Sequence, residues 1–301
     1  MAATRQMDVQ GAAALIGFAA LMAFNQVVIK VANEGFQPVF LAGLRSAGAL
    51  VCMGLWMRWR GMSFAVPRDQ IGPGLLIGAV FAVEFIFLFL ALDLTTVIRV
   101  SIIYYSMPVW LALAAGPFLG ERLTLRKSAG LALAFAGVVV ALVSRGDDVA
   151  GQASLLGDLL ALAGAMAWAA IALCARGTRL REATPEMQLV WQLLVSAPIL
   201  LLVAPLFGPL LRDPEAIHIA GLLFQVLVIA SFGYLLWLWL LGIYPAAQVA
   251  SFSFLSPLFG VLFGGLLLDE RLGPGLAVAA GLLAVGLVLI NRPSRRARPM
   301  V

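Results

Sequence analysis

An acid in the middle of an apolar run is the first chemically consequential feature of this sequence. Glu84 lies about midway along the run 71–92. An ionised group at that depth in hydrocarbon costs about 2.5–3.5 kcal/mol or more, so it must face a partner or a wet cavity. Arg45, at a similar depth in the run 37–57, is the candidate partner of a structural ion pair. The other chemistry open to Glu84 is holding a substrate ammonium or a proton. Neutral polar groups come next: Asn25 and Gln26 in the run 11–32, and Gln248, Ser251, Ser253 and Ser256 in the run 246–268. Amides and hydroxyls can hold both ends of a zwitterion without a full counter-charge. They can equally join helices, at about 0.6 kcal/mol per bond. Tyr104, Tyr105, Trp168, Trp191, Tyr234 and Trp237 are deep aromatics with polar tips. Such rings turn inward when they are surrounded by lipid, and as a set they suit an apolar or aromatic ligand. Trp56, Trp59 and Tyr244 lie at run ends and read as interface anchors. Pro108 and Pro257 each withhold a hydrogen bond from the carbonyl four residues earlier, at Tyr104 and Ser253, which makes both candidate hinges. Cys52, Cys174 and the single histidine, His218, supply no metal quartet; no cofactor motif is present. His218, at the start of a run, is expected to be exposed.

The elements that must position these residues follow from composition. The chain has 301 residues, 62% apolar and 12% charged. A soluble domain holds about 45–50% apolar and about 25% charged residues. The excess excludes a soluble enzyme and a disordered chain, and the net charge of +5 reads as membrane anchoring, with no nucleic-acid partner. Ten runs are long enough to span a bilayer as helices: 11–32, 37–57, 71–92, 97–119, 126–144, 155–175, 186–206, 217–241, 246–268 and 273–291. The first run carries no cleavage site and is a retained helix. Fourteen basic residues fall at one set of ends and six on the other side, which places both termini in the cytoplasm.

A shift of 149 residues superposes the fourth and fifth runs on the ninth and tenth. Pro108 meets Pro257, Gly116 meets Gly265, and Gly137 meets Gly286. The segment 119–123, Leu-Gly-Glu-Arg-Leu, meets 268–272, Leu-Asp-Glu-Arg-Leu. At a shift of 144, Met22-Ala23-Phe24 meets Met166-Ala167-Trp168. The expected domains are therefore two five-helix repeats, 1–145 and 146–301, the second ending in a basic cytoplasmic tail. Five spans is an odd number, so the repeats have inverted topology around a midplane site, a plan suited to alternating access. Glycine pairs at spacing four (Gly74/Gly78, Gly116/Gly120, Gly260/Gly264) permit close helix approach. No Gly-x-x-x-x-Gly-Lys-Ser/Thr loop is present for ATP-driven transport, and no nucleophile–base set for an embedded enzyme.

Ten spans as five plus five, with a proline-bearing fourth or ninth span running into Gly-Glu-Arg-Leu (120–123) or Asp-Glu-Arg-Leu (269–272), resemble the drug/metabolite transporter superfamily in its EamA-type branch. The resemblance covers essentially the whole chain. It implies an all-α, multi-pass exporter of the bacterial inner membrane with a central cavity. Within the branch the pattern is similar to bacterial exporters of aromatic and other neutral amino acids. The small four-helix drug antiporters carry a glutamate in their first helix, where this chain has Asn25, Gln26 and Lys30. Phosphate-exchanging relatives use deep lysine and arginine in late helices, and runs eight and nine hold neither. The expected activity is facilitative export of a small, amino-acid-like substrate. The alternative is proton-coupled export of hydrophobic cations or other small metabolites.

Overall fold

The structure is a computed structural model, and it describes residues 8–119, 124–144, 154–244 and 255–291. In order, the helices are α1 (Val9–Gly35), α2 (Pro38–Trp59), α3 (Arg68–Leu94), α4 (Val97–Tyr104), α5 (Met107–Leu119), α6 (Leu125–Val143), α7 (Leu155–Gly177), α8 (Pro185–Val203) and α9 (Ala216–Phe224). A π-helix, Gln225–Gly233, then leads into α10 (Tyr234–Ile243), and α11 (Leu255–Leu267) and α12 (Pro274–Asn291) follow. Eight helical stretches are long and apolar enough to cross a membrane, and two shorter apolar helices, Leu255–Leu267 and Pro274–Ile290, accompany them.

Helix starts are set by short polar caps. The side chains of Asp8, Gln37, Thr96, Thr124, Ser154 and Thr184 accept from backbone N–H groups three residues on. Pro38 and Pro185 occupy first turns, where a missing N–H costs nothing. The fourth span is broken, where the sequence leads one to expect a kink. Pro108 has no N–H to offer the Tyr104 carbonyl. The chain tightens instead, with Ser106 N bonding Ile103 O at 3.2 Å and Val109 N bonding Ser106 O at 2.8 Å. Tyr104 and Tyr105 sit at this seam between α4 and α5. Pro257 is buried in α11.

The repeats pack through related helix pairs. Number the spans one to ten, with α4 and α5 together as span four and α9, the π-helix and α10 as span eight. Exchange of the repeats then carries span n onto span n+5. Contacts 2–7, 4–9 and 5–10 map onto themselves; 1–9 maps onto 4–6, 1–8 onto 3–6, and 2–8 onto 3–7, and every one of these pairs is present. Small residues let backbones meet, as lipid-embedded packing requires. In the 5–10 interface a Cβ on Gly137 would lie 2.8 Å from Ala279 O, and one on Gly286 would lie 2.6 Å from Gly130 O. Gly74 and Gly78 receive Trp191 and Val195 of α8, while Gly260 and Gly264 receive Ser101 and Ile98. Leu55, Val143, Leu202 and Leu206 stay exposed on the outer, lipid-facing side.

One end of the bundle, which carries Thr95, is tied together by polar groups. Lys30 Nζ donates to Leu92 O at 3.1 Å and to Thr95 O at 2.7 Å. Asn33 Nδ2 reaches Phe89 O at 2.9 Å, and Arg212 pairs with Asp93 at 2.7 Å. Arg99, fully buried, donates from Nε to Asp158 Oδ1 at 2.9 Å and from Nη2 to Asp158 Oδ2 at 2.7 Å. It also reaches Ser144 O and Ala141 O at the end of α6. The glutamate of the second Glu-Arg corner is structural. Glu270 accepts from Val97 N at 2.7 Å and Ile98 N at 2.8 Å, capping α4 across the repeats. Asp269 reaches positive φ (52°) just before it, a conformation open to Asp and Gly, the two residues found at this place in the repeats. The first corner, 120–123, lies outside the described residues.

Candidate functional site

The seam in span four presents two tyrosines to α3 and α7. The Tyr104 ring stacks on Trp168 with centroids 5.0 Å apart and planes at 17°. Tyr105 stands edge-on to both, at 5.8 Å from Tyr104 and 6.1 Å from Trp168. Gly164 of α7 makes room, since a Cβ there would already touch the Tyr104 ring at 3.4 Å. The Tyr104 hydroxyl donates to Glu84 Oε1, and the Tyr105 hydroxyl lies close to Ser256 of α11. Glu84 and Tyr104 are buried, whereas Trp168 and Tyr105 are half-buried, so the cluster keeps accessible ring surface.

Arg45 does not make the expected ion pair. Its guanidinium lies over the Phe85 ring, 4.4 Å from the centroid. Glu84 is within electrostatic reach, but its hydrogen bond comes from Tyr104. Phe85 belongs to a stripe of Phe81, Phe85 and Phe89 on one face of α3, a stripe that sequence reasoning did not single out.

The structure therefore brings four of the candidate residues together: Glu84, Tyr104, Tyr105 and Trp168. Pro108 makes the seam, and Ser256 joins through Tyr105. Asn25 is buried on α1 with Oδ1 unpartnered, and its neighbour Gln26 accepts from Ser101 Oγ at 2.6 Å, one turn before Tyr104. Phe24, matched to Trp168 by the repeat, meets Phe224 and Phe263 edge-on. Tyr234 stands apart: its hydroxyl donates to the carbonyl of Pro185 at the start of α8, which satisfies the polar tip at a helix end. Trp191 also lies elsewhere, against Gly74. The side chain of Trp237, and Ser253 altogether, lie outside the described residues. Two readings of end residues are corrected. Tyr244 is buried with its hydroxyl on Asp8 Oδ1 at 2.6 Å, so it ties α10 to α1 and does not face the interface. His218 is buried against Gly35 because its Nδ1 accepts from Glu215 N at 2.9 Å in a capping box. Asp158 was missed, although an acid entering an apolar run at the depth of Arg99 signals the pair.

A two-repeat helical bundle with an aromatic and carboxylate cluster at a broken helix defines a multi-pass membrane transporter. The chain matches the EamA-like transporter family twice, over residues 9–143 and 155–292, and it belongs to that family. It is 32% identical over 285 residues to a protein of Escherichia coli (strain K12) named "Probable amino-acid metabolite efflux pump", covering 88% of this chain and 87% of that one. It is 27% identical to the S-adenosylmethionine/S-adenosylhomocysteine transporter of Chlamydia muridarum, covering 87% of this chain and 85% of that one. A solved crystal structure shares the fold at a TM-score of 0.65 and 22% identity, over 92% of this chain and 97% of that chain.

Proposed function

We propose that this transporter exports neutral amino acids with large apolar or aromatic side chains from the cytoplasm across the bacterial inner membrane. The Tyr104–Trp168 stack with Tyr105, beside the buried Glu84 carboxylate, carries the reading. A ring packed on these faces gains about 0.5–1.5 kcal/mol beyond area burial. Glu84 offers a counter-charge for the ammonium, and Asn25 an unpartnered amide oxygen for the polar end. Tyr234, bonded to the Pro185 carbonyl, stands outside this contact set. The efflux-pump name of the Escherichia coli relative supports the same substrate class.

Alternating access supplies the motion. Span one packs closely on spans three and four at the Thr95 end. In the proposed cycle, inverted repeats would let closure pass from that end to the other.

The test is counterflow of phenylalanine and of threonine in proteoliposomes at matched protein density. Trp168→Ala and Tyr105→Ala should lower phenylalanine flux about tenfold and threonine flux less than about threefold, the ratio expected for a lost stacking contact. Proportional losses for both substrates would show that the rings only pack. Wild-type protein that moves neither amino acid would overturn the substrate class.

A further inference from the structure

We propose that Arg45 is the receptor for a carboxylate on the transported molecule. The inference rests on the amino-acid reading above and sharpens it. Two deeply buried arginines in this chain have opposite fates. Arg99 places Nε, Nη1 and Nη2 on Asp158, Ser144 O and Ala141 O, so every nitrogen has an acceptor. Arg45 is only 8% exposed, yet its Nε and Nη1 are buried with no hydrogen-bond partner. A guanidinium cannot shed its charge by deprotonation, so those donors stay cationic. Phe85 holds the guanidinium by one face at 4.4 Å, which restrains the group without using a single N–H. The acid within electrostatic reach, Glu84, already accepts from Tyr104.

A carboxylate is the acceptor that matches such a donor set, because its two oxygens meet a planar guanidinium with charge-assisted bonds. The surroundings fit the rest of the same ligand. Arg45 and Glu84 together are electrically balanced, so a zwitterion enters with no net charge to bury. Other unpartnered polar groups gather on the elements beside Arg45: Ser46 Oγ on α2, Asn25 Oδ1 and Gln26 Nε2 on α1, and both ends of the Gln225 amide on the π-helix. α1 and α2 both pack on that π-helix, where Val226 meets Gly48. Wide turns of this kind recur at functional sites. An amine lacking a carboxylate would leave Arg45 as it stands and add a second cation beside it. The site therefore selects for the acid group and against simple hydrophobic cations.

The experiment compares binding of phenylalanine with that of its methyl ester, by calorimetry on detergent-purified protein. Wild-type protein should bind the acid about tenfold or more tightly than the ester, the scale of one charge-assisted contact. Arg45→Gln should weaken phenylalanine by about the same factor and leave the ester unchanged, erasing the preference. Arg45→Lys keeps the charge without the planar donors and should weaken phenylalanine several-fold, so it serves if the glutamine variant does not fold. Equal affinity of wild-type protein for acid and ester overturns the assignment, and so does a preference retained in folded Arg45→Gln. Failure of wild-type protein to bind phenylalanine at all overturns the amino-acid reading itself, a separate result.

Discussion

Removing one member of the Arg99–Asp158 pair should destabilise the protein far more than removing both. Each side chain is fully excluded from solvent. Asp158 accepts from Arg99 Nε at 2.9 and 3.1 Å, from Nη2 at 2.7 Å, and from Thr95 Oγ1 at 3.1 Å. Asp158→Leu strips a buried guanidinium of its carboxylate while the carbonyls of Ala141 and Ser144 remain, and breaking a buried pair in this way costs about 3–5 kcal/mol. Arg99→Met leaves the converse, a buried carboxylate stripped of the guanidinium, at a similar cost. The double variant exchanges the pair for apolar volume, which is often neutral or stabilising. Thermal unfolding in detergent, followed by the loss of the monodisperse chromatographic peak, reads the difference. The expected order is wild type and double variant together, with both single variants well below. A single variant as stable as wild type, or a double variant worse than either single one, refutes the reasoning. Arg99 and Tyr104 share the eight-residue helix α4, so the single variants should also lose phenylalanine counterflow when held below their melting point.

Two further outcomes follow. Pro108→Ala restores a donor for the Tyr104 carbonyl and removes a helix penalty of about 3 kcal/mol, favouring one continuous span four; counterflow should slow several-fold with phenylalanine binding little changed, the same is expected of Pro257→Ala, and wild-type rates in both would reject the hinge role. Single cysteines at Arg122 and Arg271, in a background without Cys52 and Cys174, should react with an impermeant reagent from opposite faces of the membrane; labelling of both from one face would defeat the proposed orientation.

Much of the fold was legible because lipid as solvent leaves so few choices. A chain this apolar must satisfy its backbone internally, so run lengths alone give helices. The repeat followed from Pro108 and Pro257, Gly137 and Gly286, and the two Glu-Arg corners, since each residue type answers a local geometric need. The broken fourth span was legible only in part. Pro108 announced a lost hydrogen bond, but a seam with two tyrosines at it depended on Ser106 taking over the turn.

The site was decided elsewhere. In water, a helix reveals its buried face by its apolar stripe. In lipid both faces are apolar, and sequence periodicity no longer tells which side turns inward. Tyr104 and Tyr234 are equally deep aromatics in the sequence, yet packing sends one to Glu84 and Trp168 and the other to the Pro185 carbonyl. Glu84 and Arg45 share a depth, but helix rotation turned the acid toward Tyr104 and laid the guanidinium on Phe85. Arg99 finds Asp158 in another repeat, and Glu270 caps a helix 172 residues before it. The sequence by itself determined a duplicated helical membrane protein with a few costly polar groups inside it. Only tertiary packing chose their partners, because those partners lie on other helices whose rotation no local pattern encodes.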